Sequence, residues 1–182
     1  MKNPKVRWIT ETALMLALLI VLQSITKPFG QLVTGSCVNC VLAISALFVG
    51  GWAGVLVALV SPVLAYLLGL APNLVVVPAI MLGNVTYVVL LFVIARKGLV
   101  SHIAAWLIAS AAKFVVLYLV VAKIICGLAS NWLLGTGVLK PKMLEVLPVT
   151  FGVTQLFTAL IGGAVAVVIA QVLRKALRRE KK

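Results

Sequence analysis

The chain has 182 residues, 64% of them hydrophobic and 10% charged, with a mean hydropathy of +1.24. Soluble globular domains carry about 25% charged residues, so a soluble fold is excluded and a polytopic, all-α membrane protein with little mass outside the bilayer is expected. Sixteen Lys and Arg stand against three acids, Glu11, Glu145 and Glu180, for a net charge of +13; they flank apolar runs, as membrane-protein loops do, which argues against a nucleic-acid partner.

A transmembrane helix takes about 20 apolar residues. Six such runs absorb nearly the whole chain, which reads as a single membrane domain over 1–182. The first span is expected over about Ile9 to Ile25, closed by Lys27-Pro28, because proline lacks a backbone donor. Met1 to Arg7 is basic, as in a signal peptide, but no cleavage site follows, so this span is expected to be retained. The second span covers about Val33 to Val49 and turns at Gly50-Gly51. The third covers about Trp52 to Leu70, with Pro62 as a kink, and ends at Ala71-Pro72-Asn73. The fourth covers about Leu74 to Ala95 and stops at Arg96-Lys97-Gly98. The fifth covers about Ser101 to Cys126. A long outer connection is expected over 127–146, then a sixth span over about Leu147 to Val172, then a basic cytoplasmic tail over 174–182.

Charge counting orients the bundle. With the N-terminus inside, Lys2, Lys5, Arg7, Arg96, Lys97, Arg174, Lys175, Arg178, Arg179, Lys181 and Lys182 are cytoplasmic. Lys27, Lys140, Lys142 and Lys123 lie toward the outside. The positive-inside bias then sets both termini in the cytoplasm of a cell-membrane protein.

Several chemistries are absent from the sequence. There is no GxxxxGK[ST] phosphate loop and no HExxH. No acid lies mid-span to couple an ion gradient, and the single His102 completes no nucleophilic triad, so no enzyme activity is expected. Cys37-Val-Asn-Cys40 has CxxC spacing, but no further ligands complete a metal site, and the cysteines read as small apolar helix residues. No cofactor and no metal are expected.

On the first span, Ala13 and Ala17 are four apart and share a helical face, the pattern that lets a second membrane helix approach closely. Thr12-Ala13 through Ala17-Leu18, the short Gly50-Gly51-Trp52-Ala53-Gly54 connection, and Pro78 with Gly83-Asn84 together resemble the substrate-binding S component of energy-coupling factor (ECF) vitamin transporters. The resemblance covers the whole chain in length and layout. It implies a subunit that captures a vitamin outside and delivers it inward. Its partners would be an energising module of one membrane scaffold protein and two ATPases, met through Ala13 and Ala17. Within the family, Val33-Thr34-Gly35-Ser36 followed by Asn39, with Val77-Pro78-Ala79 and Gly83-Asn84, most resembles the cobalamin-type S components of lactobacilli. Folate, pantothenate and queuosine precursors are the alternative cargoes. A membrane scaffold without a ligand is the alternative class.

Residue chemistry points to a pocket. Uncharged polar groups in hydrocarbon are costly unless paired or facing a cavity, and here they gather in the outer halves of the spans. Thr34 and Asn39 lie on the second span, Asn84 and Tyr87 on the fourth, and Thr154 and Gln155 on the sixth, where Thr150, Thr154 and Thr158 repeat at i, i+4. Lys113 is the charge nearest the centre of a span and is a candidate partner for an anionic ligand group. Trp132, in the outer connection, either stacks on ligand or anchors at the interface. These eight, Thr34, Asn39, Asn84, Tyr87, Lys113, Trp132, Thr154 and Gln155, are the candidate substrate-binding residues. Trp8, Trp52 and Trp106 read as interfacial anchors, and His102 as an interfacial side chain.

Overall fold

The structure is a computed structural model that describes residues 3–71, 73–95 and 98–179, with side chains described to residue 172. Among them there are eight α-helices and no strands. These are α1 (Pro4–Thr26), α2 (Gln31–Ile44), α3 (Gly51–Leu67), α4 (Val77–Ile94), α5 (Leu99–Leu117), α6 (Ser130–Gly135), α7 (Pro141–Phe151) and α8 (Val153–Arg179). Two helices run on with wider π-type turns, α2 through Val49 and α5 through Leu128.

Local chemistry sets the boundaries. Asn3 caps α1 by accepting from the Lys5 backbone N–H at 3.0 Å, and Pro4 opens the helix, where a missing N–H is harmless. Asn73 caps the next turn through the Val75 N–H at 2.9 Å, ahead of Pro78 in the first turn of α4. Gly50 joins α2 to α3 at φ +128°, a backbone conformation that a Cβ disfavours.

Five helical stretches are long and apolar enough to cross a membrane: Pro4–Phe29, Gln31–Val49, Leu74–Ile94, Leu99–Leu128 and Pro141–Val172. The third expected span differs. Gly51–Leu67 is apolar but has 17 residues, about 26 Å at 1.5 Å rise per residue, slightly less than a hydrocarbon core of about 30 Å. The chain leaves the helix at Leu68 and Gly69 (φ +68°), before the expected end at Leu70. The sixth stretch is broken. Pro148 lies inside α7, and Gly152 (φ −96°, ψ −117°) separates α7 from α8. Most of residues 127–146, expected as an irregular connection, are helical, as α6 and the first half of α7. The basic tail continues α8 to Arg179, while Glu180, Lys181 and Lys182, with Lys2, Pro72, Arg96 and Lys97, lie outside the described residues.

The helices pack as an up-and-down bundle in which α2 lies along α8, α4 along α3 and α5, and α5 along α8. Small residues allow close approach where lipid supplies no hydrophobic drive. A Cβ on Gly162 of α8 would run into the Ser36 carbonyl oxygen of α2, and one on Gly54 of α3 would meet Val88 at 2.6 Å and the Ala46 backbone. Two apolar clusters result. The larger joins Leu42, Val57, Tyr87, Val88, Leu91, Ala105, Ala109, Ala159 and Ala166 in the half nearer the N-terminus. The smaller joins Val76, Ala79, Leu117, Val121, Leu133, Leu147 and Phe151 at the opposite end, where α6 and α7 cover the bundle. α1 is peripheral, with Leu19 its one buried residue.

Candidate functional site

Between the two clusters lies a cavity of about 90 Å³. Five helices supply most of its wall: Thr34 and Asn39 from α2, Ser61 and Pro62 from α3, Ile80 and Asn84 from α4, Lys113 from α5, and Gln155 from α8. Gln23 of α1, Gln31, Leu70, Ala71 and Phe151 extend it toward the end of the bundle opposite the N-terminus. The interruption at Gly152 matters here. It ends α7 at Phe151 and restarts the chain as α8, so Phe151 and Gln155 both reach the cavity from either side of the break.

At the deep wall Lys113 is 2% exposed, its ammonium included in the buried network. It donates to Asn39 Oδ1 at 2.5 Å and Asn84 Oδ1 at 2.7 Å, and its Nζ stands 5.5 Å from the centroid of the Tyr87 ring. Asn39 passes the network on, its Nδ2 donating to Thr158 Oγ1 at 3.2 Å, while that hydroxyl donates to the Gln155 carbonyl at 3.0 Å. A lysine at the centre of a span costs about 2.5–3.5 kcal/mol on insertion scales. Two amide oxygens and an aromatic face offset part of that cost. The amide orientations follow directly, because an ammonium has three donors and no acceptor, so each oxygen must face it.

The candidates from the sequence divide accordingly. Thr34, Asn39, Asn84, Lys113 and Gln155 converge on the cavity wall. Tyr87 is fully buried behind it, its ring facing Lys113 and its hydroxyl donating to the Ala159 carbonyl at 3.5 Å. Thr154 is half-buried on α8 and Trp132 is 69% exposed on α6, and neither lines the cavity. Of the Thr150, Thr154, Thr158 repeat, Gly152 sets Thr150 apart on α7, while Thr154 and Thr158 stay together on α8. Of these three, Thr158 is the one in the buried network.

Ser61, Gln31, Ile80 and Phe151 were not singled out in the sequence, and Pro62 was read there as a kink and not as a wall residue. Ser61-Pro62 carried a usable signal. A proline within a span frees the carbonyl one turn earlier and favours an irregular, polar wall, whereas Ile80 and Phe151 look like any apolar core residue. His102 also differs from expectation, being 1% exposed with its Nδ1 bonded to the Gly98 carbonyl at 2.5 Å. Trp106 is half-buried against Gly163, whereas Trp52 is 80% exposed at the start of α3.

On the outside of the bundle, Ala13 and Ala17 are both exposed, among exposed Ile9, Leu14, Leu18 and Val21. Glu11 beside them accepts from Arg7 Nε at 2.7 Å. Cys37, Cys40 and Cys126 are free and half-buried. Among the described residues no group of three or more His, Cys, Asp or Glu is placed to hold a metal ion.

No curated protein and no solved structure matches the chain. A family model, ECF transporter, substrate-specific component, matches residues 7–174. That match covers every cavity residue described above and all of the helices but the first three residues of α1 and the last five of α8. The chain therefore belongs to the family of substrate-specific components of ECF transporters, a multi-pass membrane subunit that binds a small molecule and works with an energising module.

Proposed function

We propose that this chain captures a small water-soluble vitamin or vitamin precursor in the cavity between α2, α4, α5 and α8, on the outer side of the cell membrane. It then delivers the compound inward with an energising module of one membrane scaffold protein and two ATPases. The observation that carries this reading is the convergence of polar side chains from five helices on one cavity inside an otherwise apolar bundle. Glue between helices needs paired polar groups. Here the side chains of Gln23, Gln31 and Gln155 make no hydrogen bond to protein among the described residues, and they line the open end.

The partner contact is assigned to Ala13 and Ala17. Their side chains are small and exposed along α1, which supports close helix-to-helix docking. Six spans with both termini cytoplasmic complete the arrangement, the short α3 counting as the third. In this topology the cavity opens away from the cytoplasm, as capture from outside requires.

The motifs around Thr34, Asn39 and Asn84 favour cobalamin. The cavity volume of about 90 Å³ favours a compact compound instead, since pockets for drug-sized ligands span about 300–1,000 Å³ and a corrinoid is larger than a typical drug. Among the alternatives, pantothenate and queuosine precursors fit that size better than folate. The test is direct binding of a panel to the purified protein in detergent: cobalamin, cobinamide, folate, pantothenate and a queuosine precursor base. Tight, saturable binding of one compound is expected. A folded protein that binds none of them, nor any other water-soluble vitamin, is a scaffold instead.

A further inference from the structure

We infer that the ligand of this cavity carries a carboxylate or an equivalent compact anion, held by Lys113 and Asn84; the inference rests on the reading of the cavity as a substrate site. Its basis is a charge imbalance. Lys113 lines the cavity, is 2% exposed, and faces neutral partners, the amide oxygens of Asn39 and Asn84 and the ring of Tyr87. The described carboxylates lie elsewhere. Glu11 is paired with Arg7 near the start of α1, and Glu145 is exposed on α7, away from the cavity lining. A buried cation that has no counter-ion is the arrangement proteins avoid unless an anion joins it.

The hydrogen-bonding capacity left over has the right form. Two of the three ammonium donors are spent on amide oxygens and one remains. Asn39 is engaged on both sides, its oxygen by Lys113 and one of the two N–H groups of its Nδ2 by Thr158. Asn84 is not. Its oxygen is held by Lys113, while its Nδ2 makes no hydrogen bond to protein among the described residues. One ammonium proton and one amide N–H, on groups already joined by a 2.7 Å hydrogen bond, match the two oxygens of a carboxylate. A cationic ligand would meet repulsion there, and a neutral one would leave the charge uncompensated. A merely structural role for Lys113, tying α2 and α4 to α5, explains two donors and leaves the third and the Asn84 amide unused.

The test compares acids with their neutral counterparts on the full chain in detergent, with Kd read by titration calorimetry. The probes are pantothenate and pantothenol, nicotinate and nicotinamide, and biotin and its amide, with thiamine and riboflavin as controls that carry no anionic group. The acid of at least one pair is expected to bind about thirtyfold or more tighter than its neutral partner, as loss of a hydrogen bond to a charged group implies. Lys113→Met, shown to be folded by size exclusion and thermal melting, is expected to bind acid and neutral forms alike. Should that variant not fold, Asn84→Asp is the second: it gives Lys113 an internal counter-ion, and acid binding should be lost while the melting temperature holds. The inference is overturned if the neutral partner binds within about threefold of the acid, if Lys113→Met keeps the preference, or if a control binds and no acid does. Those three outcomes leave the transport reading standing. No binding by any of these probes, by folate, by a queuosine precursor base or by any other water-soluble vitamin removes the substrate site itself and the inference with it.

Discussion

Asn39 and Gln155 illustrate two uses of a buried amide. Asn39 is bonded on both sides, to Lys113 and to Thr158. Replacing it by Leu removes an acceptor from a buried ammonium and a donor from the Thr158 hydroxyl, so Asn39→Leu should destabilise the protein by about 1–3 kcal/mol. A lowered melting temperature in detergent, with or without ligand, checks this. Gln155 lines the cavity, 7% exposed, with no side-chain bond to protein among the described residues. Gln155→Leu should therefore leave the unliganded melting temperature nearly unchanged and weaken ligand binding about tenfold, the loss of one hydrogen bond. Unaltered binding in that variant would take Gln155 out of the site. The residue types in this constellation were legible from the sequence, since amides and a lysine stand out in apolar spans. Their partners were not, because hydrogen bonds from α2 to α5 and α8 join residues 74 and 119 positions apart.

At the scale of elements, the bundle depends on close approach between α2 and α8. A Cβ at Gly162 would meet Ser36, Cys40 and Asn39 together. Gly162→Ala should push the two helices apart, costing about 1–3 kcal/mol as overpacking does, and should weaken ligand binding as well because Asn39 moves. Equal affinity in the variant would show that the α2–α8 spacing does not set the site. α1 behaves oppositely. Because Ala17 is exposed and supports nothing within the chain, Ala17→Leu should keep both the melting temperature and the vitamin affinity. It should sharply reduce co-purification with the scaffold protein of the energising module. Undiminished co-purification would move the docking face elsewhere. The elements that sequence patterns missed share one cause. Hydropathy reports how apolar a segment is, and not where its helix bends. Thus the last span reads as continuous, although Pro148 and Gly152 divide it, and 127–146 reads as loop, although Leu133 and Leu139 fold back onto the ends of α4 and α5.

For the whole molecule, orientation is a prediction that labelling decides. In a variant with Cys37, Cys40 and Cys126 replaced by Ser, a cysteine introduced at Asn131 should react with a membrane-impermeant maleimide on intact cells. One introduced at Asn3 should react only after lysis. The reverse pattern would invert the topology and close the proposed route of capture. Composition alone determined that the chain is a helical membrane protein, because a backbone in lipid must satisfy its own hydrogen bonds and about 20 apolar residues per helix do so locally. The order of residues also determined where the polar side chains fall along each span, and length, layout and the motifs of several spans together pointed to the family that the family model matches. Tertiary structure alone decided which of those side chains meet. Helix rotation and spacing turn Asn39, Asn84 and Lys113 toward one another, leave Trp132 outside, and recruit Ser61, Ile80 and Phe151 to the wall. The physical reason is that a helix's register along the membrane follows from its own apolar length, whereas the face it turns inward is set by the small residues of its neighbours.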